Sequence, residues 1–83
     1  MHADAPDQVD TIVKAILEHL EANPRAADSA EGVARWWLGP AHLAASVNQV
    51  ECALDRLVVR GAMRRSQLID GTFLYSQVPV TRQ

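Results

Sequence analysis

Between Ser46 and Tyr75 a helix signal stops at a glycine and runs directly into a hairpin signal, and no other stretch restricts the fold as much. Ser46 followed by Gln49 has the form of a capping box, in which the hydroxyl accepts an amide of the first turn and the glutamine side chain reaches back to the cap. Val47, Val50, Leu54, Leu57 and Val58 then recur at helical spacing, which predicts one buried stripe. At about 100° per residue, Asn48, Gln49, Cys52, Arg56 and Val59 fall on the opposite, outward side, with Glu51 and Asp55 nearer its edges. Gly61 is the expected left-handed stop. Arg56 and Arg60 suit the negative end of the helix dipole.

Beyond the glycine, residues 63–69 and 72–78 are extended, partly apolar runs on either side of Asp70-Gly71. That pattern predicts a hairpin closed by a two-residue type I′ turn, with Ile69 opposite Thr72 and Leu68 opposite Phe73. Pro79 ends the second strand, because it has no amide to give to a ladder.

The upstream half supplies two more helices. Over residues 7–22, Val9, Ile12, Val13, Ile16, Leu17 and Leu20 form an apolar stripe. Asn23-Pro24 stops that helix, because a residue before proline avoids the helical region. Residues 25–27 read as a connector and residues 28–37 as a second helix, with Asp28 as cap and Glu31 three residues on. Ala30, Val33 and Trp37 point one way, into the core. Trp36 lies on the flank, either as a lid over the core or as an interaction hot spot, and the frequency with which large aromatics are buried favours the lid. Leu38-Gly39-Pro40 breaks the helix. Leu43 is expected to plug the core from the connector, where either an extra turn forms at 40–44 or Pro40 starts the third helix early. The order helix, helix, helix, strand, strand defines a mainly α protein with a small β-hairpin (α+β). Residues 1–6 read as an arm, 7–79 as a single domain and 80–83 as a tail.

The segment ALDRLVVRGAMRR followed by DGTFLY resembles winged helix-turn-helix transcription regulators, including the small bacterial multiple-antibiotic-resistance (MarR-like) group. Leu57, Arg60, Gly61, Arg64, Arg65, Gly71 and Tyr75 carry the resemblance: a leucine-rich helix ending L-x-x-R-G, a basic pair, and a wing closing on a tyrosine. It spans the C-terminal half, and the first half agrees in the number and order of its helices. The resemblance implies a three-helix winged helix-turn-helix, with helix 46–60 in the major groove and hairpin 63–78 as the wing. Winged helices also serve as protein-interaction modules.

Composition narrows the function classes. The chain has 83 residues, room for one modest core, and a single cysteine, which excludes an intrachain disulfide framework. With no signal-peptide pattern and no long apolar run, a cytoplasmic protein without membrane contact is expected. The net charge is −2, but it is polarised. Residues 1–45 carry seven acids and three bases, residues 46–83 three acids and five bases, so the halves are −4 and +2. The positive half coincides with the proposed reading helix and wing, as a field that orients a protein on DNA would require.

For double-stranded DNA, Asn48 and Gln49 are residue types that read adenine. Arg56 would reach a base or a phosphate, Ser46 and Arg60 would hold the backbone, and one of Arg64 and Arg65 would point outward because strand side chains alternate. The wing tip, Asp70-Gly71-Thr72, is not basic. So few cations bind DNA weakly one copy at a time, which implies a homodimer on two half-sites or a place in a larger complex. The alternative is a winged-helix interaction module or small subunit that does not bind DNA, with Trp36 and Val59 as contact residues. His2, His19, His42 and Cys52 lack metal-ligand spacing, no catalytic constellation occurs, and no cofactor, metal or enzymatic activity is expected.

Overall fold

The computed structural model describes residues 5–38 and 45–78. Within them lie three helical segments and a small antiparallel three-stranded sheet, an α+β arrangement in which the three helices and the hairpin keep the order expected and one further strand falls between the first two helices. Helix α1 is Ala5–Ala22, strand β1 is Ala27–Asp28, and helix α2 is Ala30–Gly32, continued by a π-helical segment at Val33–Trp37. Helix α3 is Val47–Val59, and strands β2 and β3 are Met63–Gln67 and Phe73–Gln77. Residues 1–4, 39–44 and 79–83 lie outside the described set, and with them fall the expectations for the first part of the arm, for Leu43 and a turn at 40–44, for Pro79 and for the tail. Ala5 and Pro6, expected in the arm, belong to α1.

Both ends of α3 follow from local chemistry. Ser46 Oγ accepts the Gln49 amide at 3.1 Å and Gln49 Oε1 accepts the Ser46 amide at 3.1 Å, a complete capping box. At the far end Gly61 has φ 82°, its amide donates to the Val58 carbonyl at 3.0 Å, and the Ala62 amide donates to that of Leu57 at 2.9 Å. This paired closure needs one left-handed residue, which glycine supplies without steric cost.

The core is continuous. Ile12, Val13, Ile16 and Leu20 of α1, Val33 and Trp37 of the second helical unit, Val50, Ala53, Leu54 and Leu57 of α3, and Met63 and Tyr75 of the sheet are all buried. Trp37 stacks on His19, with ring centroids 4.6 Å apart. Leu17, expected in the stripe of α1, is exposed at its edge. Trp36 is 72% exposed and so is not a lid. The polypeptide is in π-helical form here, and successive side chains diverge so that Trp37 goes in and Trp36 goes out.

Three local expectations change. The cap of the second helix is Ser29, whose Oγ accepts the Gly32 amide at 3.1 Å, whereas Asp28 is in a strand and its carboxylate accepts the Ser29 amide at 2.8 Å. The expected connector contains β1, which pairs with β3 through Ala27–Ser76 and Asp28–Tyr75. Two residues are too few to show strand periodicity, and the element exists because β3 offers an edge.

The hairpin forms, but its register is one residue from that expected. Gln67 lies opposite Phe73 and Arg65 opposite Tyr75. The Leu68 amide donates to the Thr72 carbonyl at 2.7 Å and the Gly71 amide to the Leu68 carbonyl at 2.9 Å, leaving a three-residue loop with Gly71 at φ 94°. Asp-Gly satisfies this loop as well as a type I′ turn, because both need glycine at a left-handed position. Asp70 Oδ1 accepts the Thr72 amide at 2.9 Å, and that bond holds its carboxyl below the ordinary aspartate range.

Leu54 and Val59 lie on one helix and differ only in rotation about it, the first fully buried and the second 87% exposed. Leu54→Ala is expected to cost about 2–5 kcal/mol, a large fraction of the stability of a small domain. Val59→Ala should stay within about 0.5 kcal/mol. Urea unfolding of the two variants beside the parent checks the contrast, and equal losses would contradict the burial of α3.

Candidate interaction surface

The outward surface of α3 is set by how the helix is rotated. Val47, expected in the buried stripe, is half-exposed, and Val58 is only partly buried. Ala53, a small residue with no place in the expected stripe, has no exposed surface. The buried arc therefore centres between Ala53 and Leu54, a rotation of roughly 40° at 100° per residue toward the side where α1 packs. Ala53 lies one turn from both Gln49 and Arg56, which reach α1, so this small residue and not Val47 or Val58 is on the α1 side of the buried arc.

That rotation divides the predicted DNA-contact residues. Gln49 and Arg56, expected to face outward, are half-buried and turn to α1. Gln49 Nε2 donates to Gln8 Oε1, and Arg56 Nη1 donates to Asp10 Oδ1 at 2.5 Å. Ser46 Oγ is occupied by the helix cap. Asn48 is exposed at the start of α3 and Arg60 is exposed at its end. The face directed away from the core carries Asn48, Glu51, Cys52, Asp55 and Val59, all exposed. It has two acids and no base.

The basic pair of β2 also divides. Arg64 is exposed on the sheet face opposite buried Met63 and Tyr75. Arg65 alternates onto the same face as Met63, where its guanidinium lies 4.6 Å from the Phe73 ring centroid and 3.7 Å from the Asp55 carboxylate. A cation shared between an acid and an aromatic face is partly neutralised and held against the protein. Among the described residues, Arg60 and Arg64 make no ion pair.

Beside the acidic face, a groove runs between the start of the second helix, the start of α3 and the start of β3. Ala30, Glu31, Val47, Glu51, Phe73 and Tyr75 line it. Sequence reasoning did not find it, because its residues come from three separate segments and Val47 read as core. Trp36, Val59 and Ile69 add large exposed apolar side chains elsewhere. His19 packs on Trp37, and Cys52 is exposed and unbridged. Among the described residues no group of His, Cys, Asp and Glu could hold a metal ion, and no helix is long and apolar enough to cross a membrane.

Comparison with protein-family models, with curated proteins and with solved structures finds no match.

The Arg56–Asp10 pair is half-exposed, with side-chain exposures of 36% and 62%, so its energy is screened by solvent. A double-mutant cycle on Asp10→Asn and Arg56→Gln should give a measurable coupling of about 0.3–1 kcal/mol at low salt, decreasing in added salt. A coupling near zero at low salt would contradict the contact between α1 and α3.

Proposed function

We propose that this chain is a small protein-interaction module, a winged-helix-like adaptor or subunit that works in contact with another protein. The observation that carries the proposal is the outward face of α3, where Glu51 and Asp55 stand and no base does. A helix entering the major groove passes between two rows of phosphates, and carboxylates on its leading face are repelled there. Arg65 answers Asp55 but is held there, and Arg56 turns to Asp10, so neither is left to meet a phosphate and Glu51 stands without an ion pair among the described residues. Exposed Trp36 and Val59 are consistent with an interface, since tryptophan is the residue type most enriched at interface hot spots. No catalytic activity is proposed.

Duplex DNA remains the second reading because Asn48 is exposed and Arg60 and Arg64 are exposed without ion partners among the described residues. Two such cations per copy neutralise too few phosphates for tight binding unless a homodimer or a larger assembly adds more. The two readings are separated by fluorescence anisotropy with mixed-sequence duplex DNA over a salt series, on protein whose mass is checked by light scattering. The interaction module predicts binding weaker than roughly 10⁻⁴ M at physiological salt, with a log–log salt slope no steeper than about −2. Micromolar or tighter binding with a slope near −5 or steeper would overturn it in favour of a DNA-binding protein.

A further inference from the structure

The sheet order is β1-β3-β2, so β3 is central and β2 is an edge strand. In an antiparallel pair, opposite residues alternate between those that exchange backbone hydrogen bonds and those that do not. The Leu68 amide bonds to Thr72 and the Val78 amide to Ala62, which fixes the phase of the ladder. With the observed register, Arg64 and Ser66 exchange bonds with β3, while Met63, Arg65 and Gln67 direct their amides and carbonyls to the outer edge. Among the described residues no segment pairs with that edge.

We propose that the outer edge of β2 receives an extended, acidic segment of a partner protein, which adds a fourth strand to the sheet. This deepens the interaction-module reading and rests on it. Main-chain bonds to Met63, Arg65 and Gln67 supply the attachment, as in other cases of strand addition. Charge chooses the occupant. Arg64 is exposed on one face of the strand and exposed Arg60 precedes it, and among the described residues neither makes an ion pair, whereas Arg65 on the other face is shared with Asp55. A carboxylate opposite Arg64 on the incoming strand forms a favourable cross-strand pair. A second copy of this chain is disfavoured. The strand has five residues, so antiparallel self-pairing along its length sets Arg64 and Arg65 opposite or diagonal to their own copies, and like charges placed so repel.

The probe is an end-capped peptide alternating glutamate with valine, compared with its lysine–valine counterpart and with a glutamate–valine peptide interrupted by proline. The Glu–Val peptide is expected to bind, and to slow amide hydrogen exchange at Met63, Arg65 and Gln67. The other two peptides should bind at least tenfold more weakly. Gln67→Pro removes an outward amide and none of the β2–β3 bonds, so it should retain the fold by circular dichroism and lose peptide binding at least tenfold. Arg64→Glu should reverse the preference toward the lysine–valine peptide, a second readout that does not depend on tolerance of proline.

Binding without protection of these three amides, equal binding of all three peptides, no binding at all, or an unchanged preference in Arg64→Glu would each overturn the edge assignment. Concentration-dependent dimerisation that protects the same amides without peptide would replace the acidic partner with a second copy. Failure of the peptide test together with negligible DNA binding removes only the edge assignment, whereas tight DNA binding removes the interaction-module reading itself.

Discussion

The packing of α3 against α1, with buried Ala53 one turn from both Gln49 and Arg56 on the side that meets α1, determines what the rest of the surface can do. A buried alanine at that seam sets the rotation of α3, and the rotation decides which polar residues face solvent. Gln49 and Arg56 turn to Gln8 and Asp10, while Glu51 and Asp55 turn outward. A shift of roughly 40° about one helix axis thus exchanges a basic and amide-rich face for an acidic one. Packing sets the rotation because burial of several large apolar side chains outweighs a half-exposed ion pair worth at most about 1 kcal/mol.

The hairpin extends the same logic. Strand alternation sends Met63 and Tyr75 into the core and carries Arg65 to their side, where Asp55 and Phe73 meet it. Its neighbour Arg64 is left in solvent on the opposite face. Formal charge therefore overstates the positive character of the C-terminal half: the +2 read from composition already sets Asp55 against Arg65, and Asp10 of the N-terminal half answers Arg56 as well. Among the described residues, the cations of the C-terminal half that make no ion pair, Arg60 and Arg64, lie just before and on β2, whose outer backbone edge no described segment pairs with, and not on the outward face of α3.

Features written in local chemistry were legible in the sequence. The capping box of Ser46 and Gln49, the glycine stop at Gly61, the hairpin at Asp70-Gly71 and the core roles of Leu54, Leu57 and Trp37 needed only neighbours a few residues away. Features decided by distant segments were not. The hairpin register depends on a choice between two loops that use the same glycine. Strand β1 owes its existence to β3, far along the chain. Ala53 gives no hydrophobic signal beside Val47 and Val58, and nothing local pairs Arg56 with Asp10 across 46 positions. Asn48, expected to face outward, is exposed, and of the pair Arg64 and Arg65 it is Arg64 that takes the free sheet face, whereas the partners that turn Gln49, Arg56 and Arg65 inward come from elsewhere in the fold.

The rotation of α3 is open to direct measurement through thiol labelling in native buffer. Cys52 and Ala53 are adjacent, the first exposed and the second buried. The native Cys52 thiol should react with a disulfide reagent at nearly the rate found in denaturant. A thiol moved one position, in the double variant Cys52→Ser with Ala53→Cys, should react on the order of a hundredfold more slowly, because it is reached only through opening of the structure. Equal rates at the two positions in folded protein would contradict the seam at Ala53, and with it the acidic outward face on which the proposed function rests.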